Sequence, residues 1–323
     1  MSKISAIRSY LPNDILTNHE LASRFDNWSA DKIFDKTGIK KRHIASTTEN
    51  VIDLAVSAAE KIFADKNNIV MKSDIDTLIL ITQTSSQLIP SSACAVHKRL
   101  GLNENCASFD INQGCAGYIY GLFTANSIIK SNNSKVVLLL TSDVYSKIID
   151  KNDASCATLF GDAGTATIIE SDINNKNNSS IGNFYFGTDG TNFDKLICKR
   201  KLPNSANICD DFLKMNGPSI LEFTLKKIPQ AINNYLIKNN LTLDDYDYFI
   251  FHQANKFILE KLFSKIGIKH KGLIEIMDCG NTASNSIPIA LEKLIYKVGY
   301  KKSKILLVGF GSGLSWGITS ILV

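Results

Sequence analysis

Two spacings of apolar residues run through the chain. Residues 76–82 (Asp-Thr-Leu-Ile-Leu-Ile-Thr) and 135–142 (Lys-Val-Val-Leu-Leu-Leu-Thr-Ser) are apolar on both faces, the pattern of strands in a parallel sheet covered on both sides. Residues 50–65 follow the other spacing: Val51, Leu54, Ala55, Ala58, Ala59, Ile62 and Phe63 share one helical face. The same reading predicts a first strand over 3–10, a turn at Pro12-Asn13-Asp14, and a helix over 19–25 capped by Asn18. A helix over 90–100 begins with proline near its N-terminus. A strand over 108–112, a helix over 118–129 and a strand over 165–170 complete the first half. Residues 171–180 are polar except for Ile173 and read as a linker.

After the linker the order begins again. Helical spacing covers 220–233, 255–266 and 287–295, and strand patterns cover 246–251, 273–277, 304–308 and 316–323. Strand 76–82 then corresponds to 246–251, the 108–118 turn to the 273–285 turn, 135–141 to 304–308, and 165–170 to 316–322. The prediction is an α/β chain of two pseudo-symmetric βαβαββ halves, residues 1–171 and 172–323. Packed about a pseudo-twofold axis, these halves make Cys115 and Asn281 symmetry mates, each in a strand-to-helix turn. His252 and the glycine turn at 309–313 fall at neighbouring strand ends, where open α/β sheets hold ligands.

Composition narrows the class. With 44% hydrophobic and 21% charged residues the 323-residue chain reads as an ordinary globular protein. No apolar run is long enough to span a bilayer, and Met1 to Arg8 lack the apolar core of a signal peptide, so a cytoplasmic location is expected. Seven cysteines, without a Cys-x-x-Cys pair, argue against a disulfide framework or a zinc site, so no metal or cofactor is expected. The net charge of +5 is carried partly by clusters at Lys36 with residues 40–43, at 97–99 and at 199–201. These read as solvated surface, or as contacts for an acidic or phosphorylated partner; without interleaved aromatics they do not suggest nucleic acid.

The chemistry gathers at Cys115. The run 108–112 ends in Gln113-Gly-Cys-Ala-Gly117, and a buried helix follows. A thiol at a helix N-terminus faces unpaired N–H groups and the positive end of the dipole, which predicts a lowered pKa and a readier nucleophile. Gly114 and Gly117 are expected to let backbone or substrate approach the sulfur. His252 supplies a neutral imidazole that can donate one hydrogen bond or take a proton, and Asn281 an amide that donates without titrating. With Cys115 holding an acyl group, His252 and Asn281 can polarise a second carbonyl into an enolate. The N–H groups of Cys115 and of Ser312 in the glycine turn can form an oxyanion hole. Each of these residues alone has a bland reading as core filler, satisfied histidine or turn residue; they carry weight as an ordered set on repeated elements.

The set resembles the ketoacyl-acyl-carrier-protein synthase III family of the thiolase fold, from near residue 3 to the C-terminus. The segments that carry it are Thr37-Gly-Ile-Lys-Lys-Arg-His-Ile44, Pro90-Ser-Ser-Ala-Cys94, Phe109-Asp-Ile-Asn-Gln-Gly-Cys-Ala-Gly117, Phe160-Gly-Asp162, His252-Gln-Ala-Asn255, Gly280-Asn-Thr282 and Gly311-Ser-Gly-Leu-Ser-Trp-Gly317. The resemblance implies a layered αβαβα sandwich, a homodimer, and a ping-pong decarboxylative Claisen condensation. An acyl thioester such as acyl-coenzyme A loads the cysteine, and malonyl on acyl carrier protein extends it. The resemblance also implies that Ile89 reaches a partner's acyl pocket, and that Lys32, Lys36, Ala154, Asn216, Gly217, Asn255 and Phe257 fall at substrate- or carrier-binding positions. Four of these depart from the family pattern. Lys32 stands for a tryptophan, Lys36 and Ala154 for arginines, and Phe257 for a basic residue. Lysine neither stacks like tryptophan nor clamps like arginine, so carrier-protein loading or a specialised pathway gains ground. Ser312 stands where glycine is usual, though only its N–H is needed.

Two rival readings remain open on sequence alone. One is an acyltransferase that uses the same Cys-His-Asn site to acylate an amine or hydroxyl without losing carbon dioxide. The other is a catalytically silent partner subunit, against which the complete Cys, His and Asn set argues. A papain-like hydrolase also uses these three residue types, but the duplicated strand-turn-helix order and the signal-free chain speak against it.

Overall fold

In the computed structural model, residues 2–172, 180–199, 212–299 and 302–323 are described. The first sheet has the order Ser2–Tyr10, Ala163–Ser171, Val136–Asp143, Thr77–Ile81, Ala107–Ile111; the last three are parallel and the first two antiparallel to their neighbours. The second repeats that order and sense with Ser180–Thr188, Ser315–Leu322, Lys304–Gly311 and Tyr248–Phe251. The strand correspondences expected from the sequence therefore hold.

Strand alternation sorts the core into layers. Leu78 and Leu80 face the helices Val51–Phe63 and Ser92–Leu100, while Ile79 and Ile81 face the helix Gly117–Lys130. That helix and Ser286–Val298 lie between the sheets, with Ile119 and Leu122 packed in one cluster with Ile287, Leu291 and Leu307. The far face of the second sheet, with Phe249, Phe251 and Leu306, is covered by Gly217–Lys238 and Lys256–Ile266. The result is helix, sheet, helix pair, sheet, helix. Among the described residues no helix is long and apolar enough to cross a membrane.

Several local expectations are corrected. Residues 273–277 form no ladder strand. Leu273 N–H still donates to Phe249 O at 3.0 Å, but two residues on the Gln253 side chain accepts Glu275 N–H at 2.7 Å, so a side chain replaces the ladder. Ser180–Thr188 is a strand that patterning missed, because Gly182 and Asn183 interrupt its apolar run. Of the expected linker, residues 173–179 lie outside the described residues, as do Arg200 and Lys201 of one basic cluster. Asn18 does not cap its helix. Thr17 does, in a capping box with Glu20, and Asn18 instead accepts from the Arg42 guanidinium at 2.5 Å and donates to Ile39 O. Arg42 itself is fully buried rather than solvated, because the alternation of Lys41–Ile44 turns it inward; burial pulls its pKa down to about 10.

Candidate active site

Cys115 follows the strand Ala107–Ile111 and precedes the helix Gly117–Lys130, whose N-cap is Ala116. Neighbouring side chains crowd the turn on which it sits. A Cβ on Gly114 would lie 2.1 Å from Gln83 Oε1, and one on Gly117 2.4 Å from Ile81 Cγ2. These glycines therefore seat the turn on protein neighbours, rather than opening a path for substrate. From the opposite half, a Cβ on Gly311 would sit 2.9 Å from the sulfur itself. The thiol is 4% exposed, and burial pushes its pKa up to about 12, with Asp143 adding to the rise and the N–H groups of Cys115 and Ser312 opposing it. This reverses the expectation of a lowered pKa: loss of water outweighs the helix dipole.

His252 follows the strand Tyr248–Phe251, and its N–H is held by Val308 O at 2.8 Å. Its Nδ1 meets Ser286 Oγ at 2.8 Å, and its ring stands edge-on to Phe310 at 5.6 Å. Burial drives its pKa down to about 3, with a backbone contact to Ala283 pulling the other way. The imidazole is therefore neutral, as its proposed role requires.

Asn281 lies in the turn before Ser286–Val298 and is clamped to the other half. Its N–H donates to Leu159 O at 2.9 Å, and Gly161 N–H donates to its carbonyl at 3.0 Å. Its Oδ1 accepts Ala283 N–H at 3.0 Å, which leaves the amide NH₂ as the end available to a ligand.

The three side chains line one cavity of about 210 Å³, walled by Phe160, Leu196, Met215 and Phe310. Of the expected binding residues, Gly217, Asn255 and Phe257 also line it; Lys32, Lys36, Ile89, Ala154 and Asn216 do not. Asn216 and Asn255 are helix N-caps, accepting Ser219 N–H at 3.0 Å and Ile258 N–H at 2.9 Å. Ala154 begins a one-turn helix, Ala154–Ala157. Lys32 and Lys36 are exposed on Ala30–Thr37, a helix whose following Gly38 packs directly on Lys256. Sequence reading missed Trp28, whose ring centre lies 4.7 Å from Lys36 Nζ and 5.4 Å from Lys32 Nζ. Trp28 precedes the helix, whose N-cap is Ser29, so helical spacing gave no signal for it. Ile89 is 83% exposed, beside Leu88 at 64%.

The family model for 3-oxoacyl-[acyl-carrier-protein (ACP)] synthase III matches residues 109–190, and the model for the C-terminal part of the same enzymes matches 236–322. A beta-ketoacyl-[acyl-carrier-protein] synthase III of Clostridium botulinum is 37% identical over 334 residues, covering 100% of this chain and 99% of that protein. One of Neisseria gonorrhoeae is 34% identical over 319 residues, covering 98% and 97%. A solved 3-oxoacyl-(acyl-carrier-protein) synthase III superposes with a TM-score of 0.94 at 36% identity, covering 100% of this chain and 99% of that one.

Proposed function

The chain belongs to the 3-oxoacyl-[acyl-carrier-protein] synthase III family, and on that premise we propose that it is a cytoplasmic condensing enzyme that loads an acyl group on Cys115 and joins it to malonyl on acyl carrier protein. The observation that carries the reading is the convergence of Cys115, His252 and Asn281, from three chain segments and both halves, on one cavity.

The steps follow from the chemistry of these groups. Cys115 sulfur attacks the carbonyl of an acyl thioester, and the donor thiol leaves with a proton. The resting thiol, held near 12, gives up its proton only as the attack proceeds, and that proton goes to the departing thiolate while His252 stays neutral. Malonyl thioester then binds with its carbonyl against His252 Nε2, the nitrogen not engaged by Ser286, and the Asn281 amide. The bond to the carboxylate breaks, carbon dioxide leaves, and the electron pair becomes an enolate stabilised by those two donors. The enolate carbon attacks the acyl-cysteine. The tetrahedral oxyanion is held by the N–H groups of Cys115 and Ser312 and collapses, expelling the thiolate. Electrons balance without a redox group or metal.

We assign a homodimer. Ala107–Ile111 ends its sheet with no strand on its outer edge among the described residues, and Leu88, Ile89 and Phe123 are exposed apolar side chains. Ile89 is the residue each subunit would lend to the other's acyl pocket.

The deciding experiment weighs the intact protein after exposure to acyl-coenzyme A and acyl-carrier donors, then adds malonyl-acyl carrier protein. An adduct on Cys115, absent in Cys115→Ala, followed by carbon dioxide and a ketoacyl product two carbons longer, is the expected result. Transfer to an amine or hydroxyl without carbon dioxide would establish the acyltransferase reading instead. No adduct with any donor would leave the silent-subunit reading.

A further inference from the structure

Ser312 lies between the strands Lys304–Gly311 and Ser315–Leu322, next to Gly311, whose added Cβ would sit 2.9 Å from the Cys115 sulfur, and its N–H favours the thiolate. A glycine there would supply the same N–H, so the chemistry above leaves the hydroxyl without a task. The hydroxyl nevertheless has a specific partner. It donates to Gln83 Oε1 at 3.2 Å, and the Tyr145 hydroxyl donates to the same oxygen at 2.9 Å. Gln83 follows Thr77–Ile81, Tyr145 follows Val136–Asp143, and Ser312 comes from the other half, so three strand ends meet on one oxygen.

That oxygen packs against Gly114 in the turn that carries Cys115. A Cβ on Gly114, the residue before Cys115, would lie 2.1 Å from Gln83 Oε1 and 2.9 Å from Ser312 Oγ. Gln83 is also anchored through its backbone, whose N–H donates to Asp143 at 2.9 Å. Tyr145 is 2% exposed and stacks on Phe160, a wall of the cavity, with ring centres 4.8 Å apart. Burial first, with the Asp143 carboxylate adding to it, keeps its hydroxyl protonated and therefore a donor. The turn is a short 3-10 segment that closes the paired strands at Gly311 and Ser315. Gly313 has φ +111°, and Ser312 has glycine on both sides. Besides the Ser312 hydroxyl, the side-chain tether on this residue is Ser315 Oγ to Ser312 O. An oxyanion donor is effective only when held within tenths of an ångström of its position.

We propose that Ser312 Oγ, Gln83 and Tyr145 form a positioning relay that fixes the Ser312 N–H against Cys115, setting the rate of acyl transfer without touching the substrate. The proposal rests on the condensing-enzyme reading for the reaction it serves, but not for the geometry it asserts.

The test uses the full chain and two readouts. One is single-turnover acylation of Cys115 by acetyl-coenzyme A, followed by intact mass; the other is alkylation of Cys115 by iodoacetamide, which needs the same N–H to favour the thiolate and no acyl donor. Ser312→Ala and Gln83→Ala should each slow both reactions about three- to tenfold at saturating reagent, the worth of one hydrogen bond. The half-saturating donor concentration should stay unchanged, and both rates are read well below each variant's melting temperature, which stranding the buried Tyr145 hydroxyl should lower in Gln83→Ala. Ser312→Thr should restore the rate, and the double variant should be no slower than its slower parent. If Gln83→Ala does not fold, Tyr145→Phe removes one donor from the same oxygen and carries the same expectation. Unchanged rates of alkylation, or losses that multiply in the double variant, would overturn the relay. So would an altered preference among acyl lengths at unchanged acetyl rate, which would put Gln83 and Tyr145 in contact with the acyl group. Failure of wild-type acylation with normal differences in alkylation would sink the functional reading and leave the relay standing.

Discussion

Cys115 and His252 rest as neutral groups pushed away from each other, the thiol up to about 12 and the imidazole down to about 3, both by burial. A free histidine titrates near 6.5 and would switch off as a neutral donor on mild acidification. Here decarboxylation of malonyl-acyl carrier protein by pre-acylated enzyme should be flat from about pH 5 to about pH 8; a midpoint near 6.5 in carbon dioxide release would show a solvated ring. Stability carries the opposite signature. Between about 6.5 and 3 the unfolded chain binds a proton at His252 that the folded chain does not, so this residue costs stability as pH falls through that window. Gly311 tests the crowding at the sulfur. In Gly311→Ala the new methyl would lie 2.6 Å from Cys115 Cβ and 2.9 Å from Sγ. Displacing the nucleophile should slow acylation by roughly a hundredfold in the intact-mass time course.

At the scale of elements, two helices present N-caps toward the same region with different consequences. Asn216 caps Gly217–Lys238 and Asn255 caps Lys256–Ile266, but Asn255 also lines the cavity. Asn216→Ala and Asn255→Ala should each cost about 1 kcal/mol in urea unfolding. Only Asn255→Ala should also raise the KM for the thioester, because Asn216 lies off the cavity. The helix Val51–Phe63 and the covered central strands Thr77–Ile81 and Lys304–Gly311 were legible because a covered strand and an amphipathic helix leave opposite periodicities. Residues 273–277 carry the same alternation as a real strand, yet Gln253, distant in sequence, takes the N–H that a ladder would need. Trp28 is hidden for a related reason: it precedes the helix, and only the coil of Ala30–Thr37 brings both lysines over the indole.

Across the whole molecule the two halves are joined by polar bonds at the centre as well as by the helix pair between the sheets. Asp143, fully buried, accepts Gln83 N–H at 2.9 Å from its own half and both the N–H and the hydroxyl of Ser284 from the other. Burial raises its carboxyl to about 6, with those donors opposing the rise. Asp143→Ala strands several buried donors, and a loss of about 3 kcal/mol is expected in equilibrium unfolding. Because Ser284 lies three residues after Asn281, the same variant should also slow condensation beyond what its stability explains, measured below its melting temperature.

The sequence by itself determined the repeat and most of the order of strands and helices, and it singled out Cys115, His252 and Asn281, which line one cavity, because each depends on local periodicity or on residue type at a turn. It could not determine the electrostatic state of the site. The expected low-pKa cysteine is a buried thiol, since the count of waters around a sulfur is a property of what packs over it, and Gly311 and Gly309 come from a strand nearly two hundred residues away. Nor could it give Ser312 a purpose. A hydroxyl where only an N–H is needed looks idle until the turn closes on Gln83 and Tyr145, and hydrogen bonds between residues 229 positions apart exist only once the halves have met.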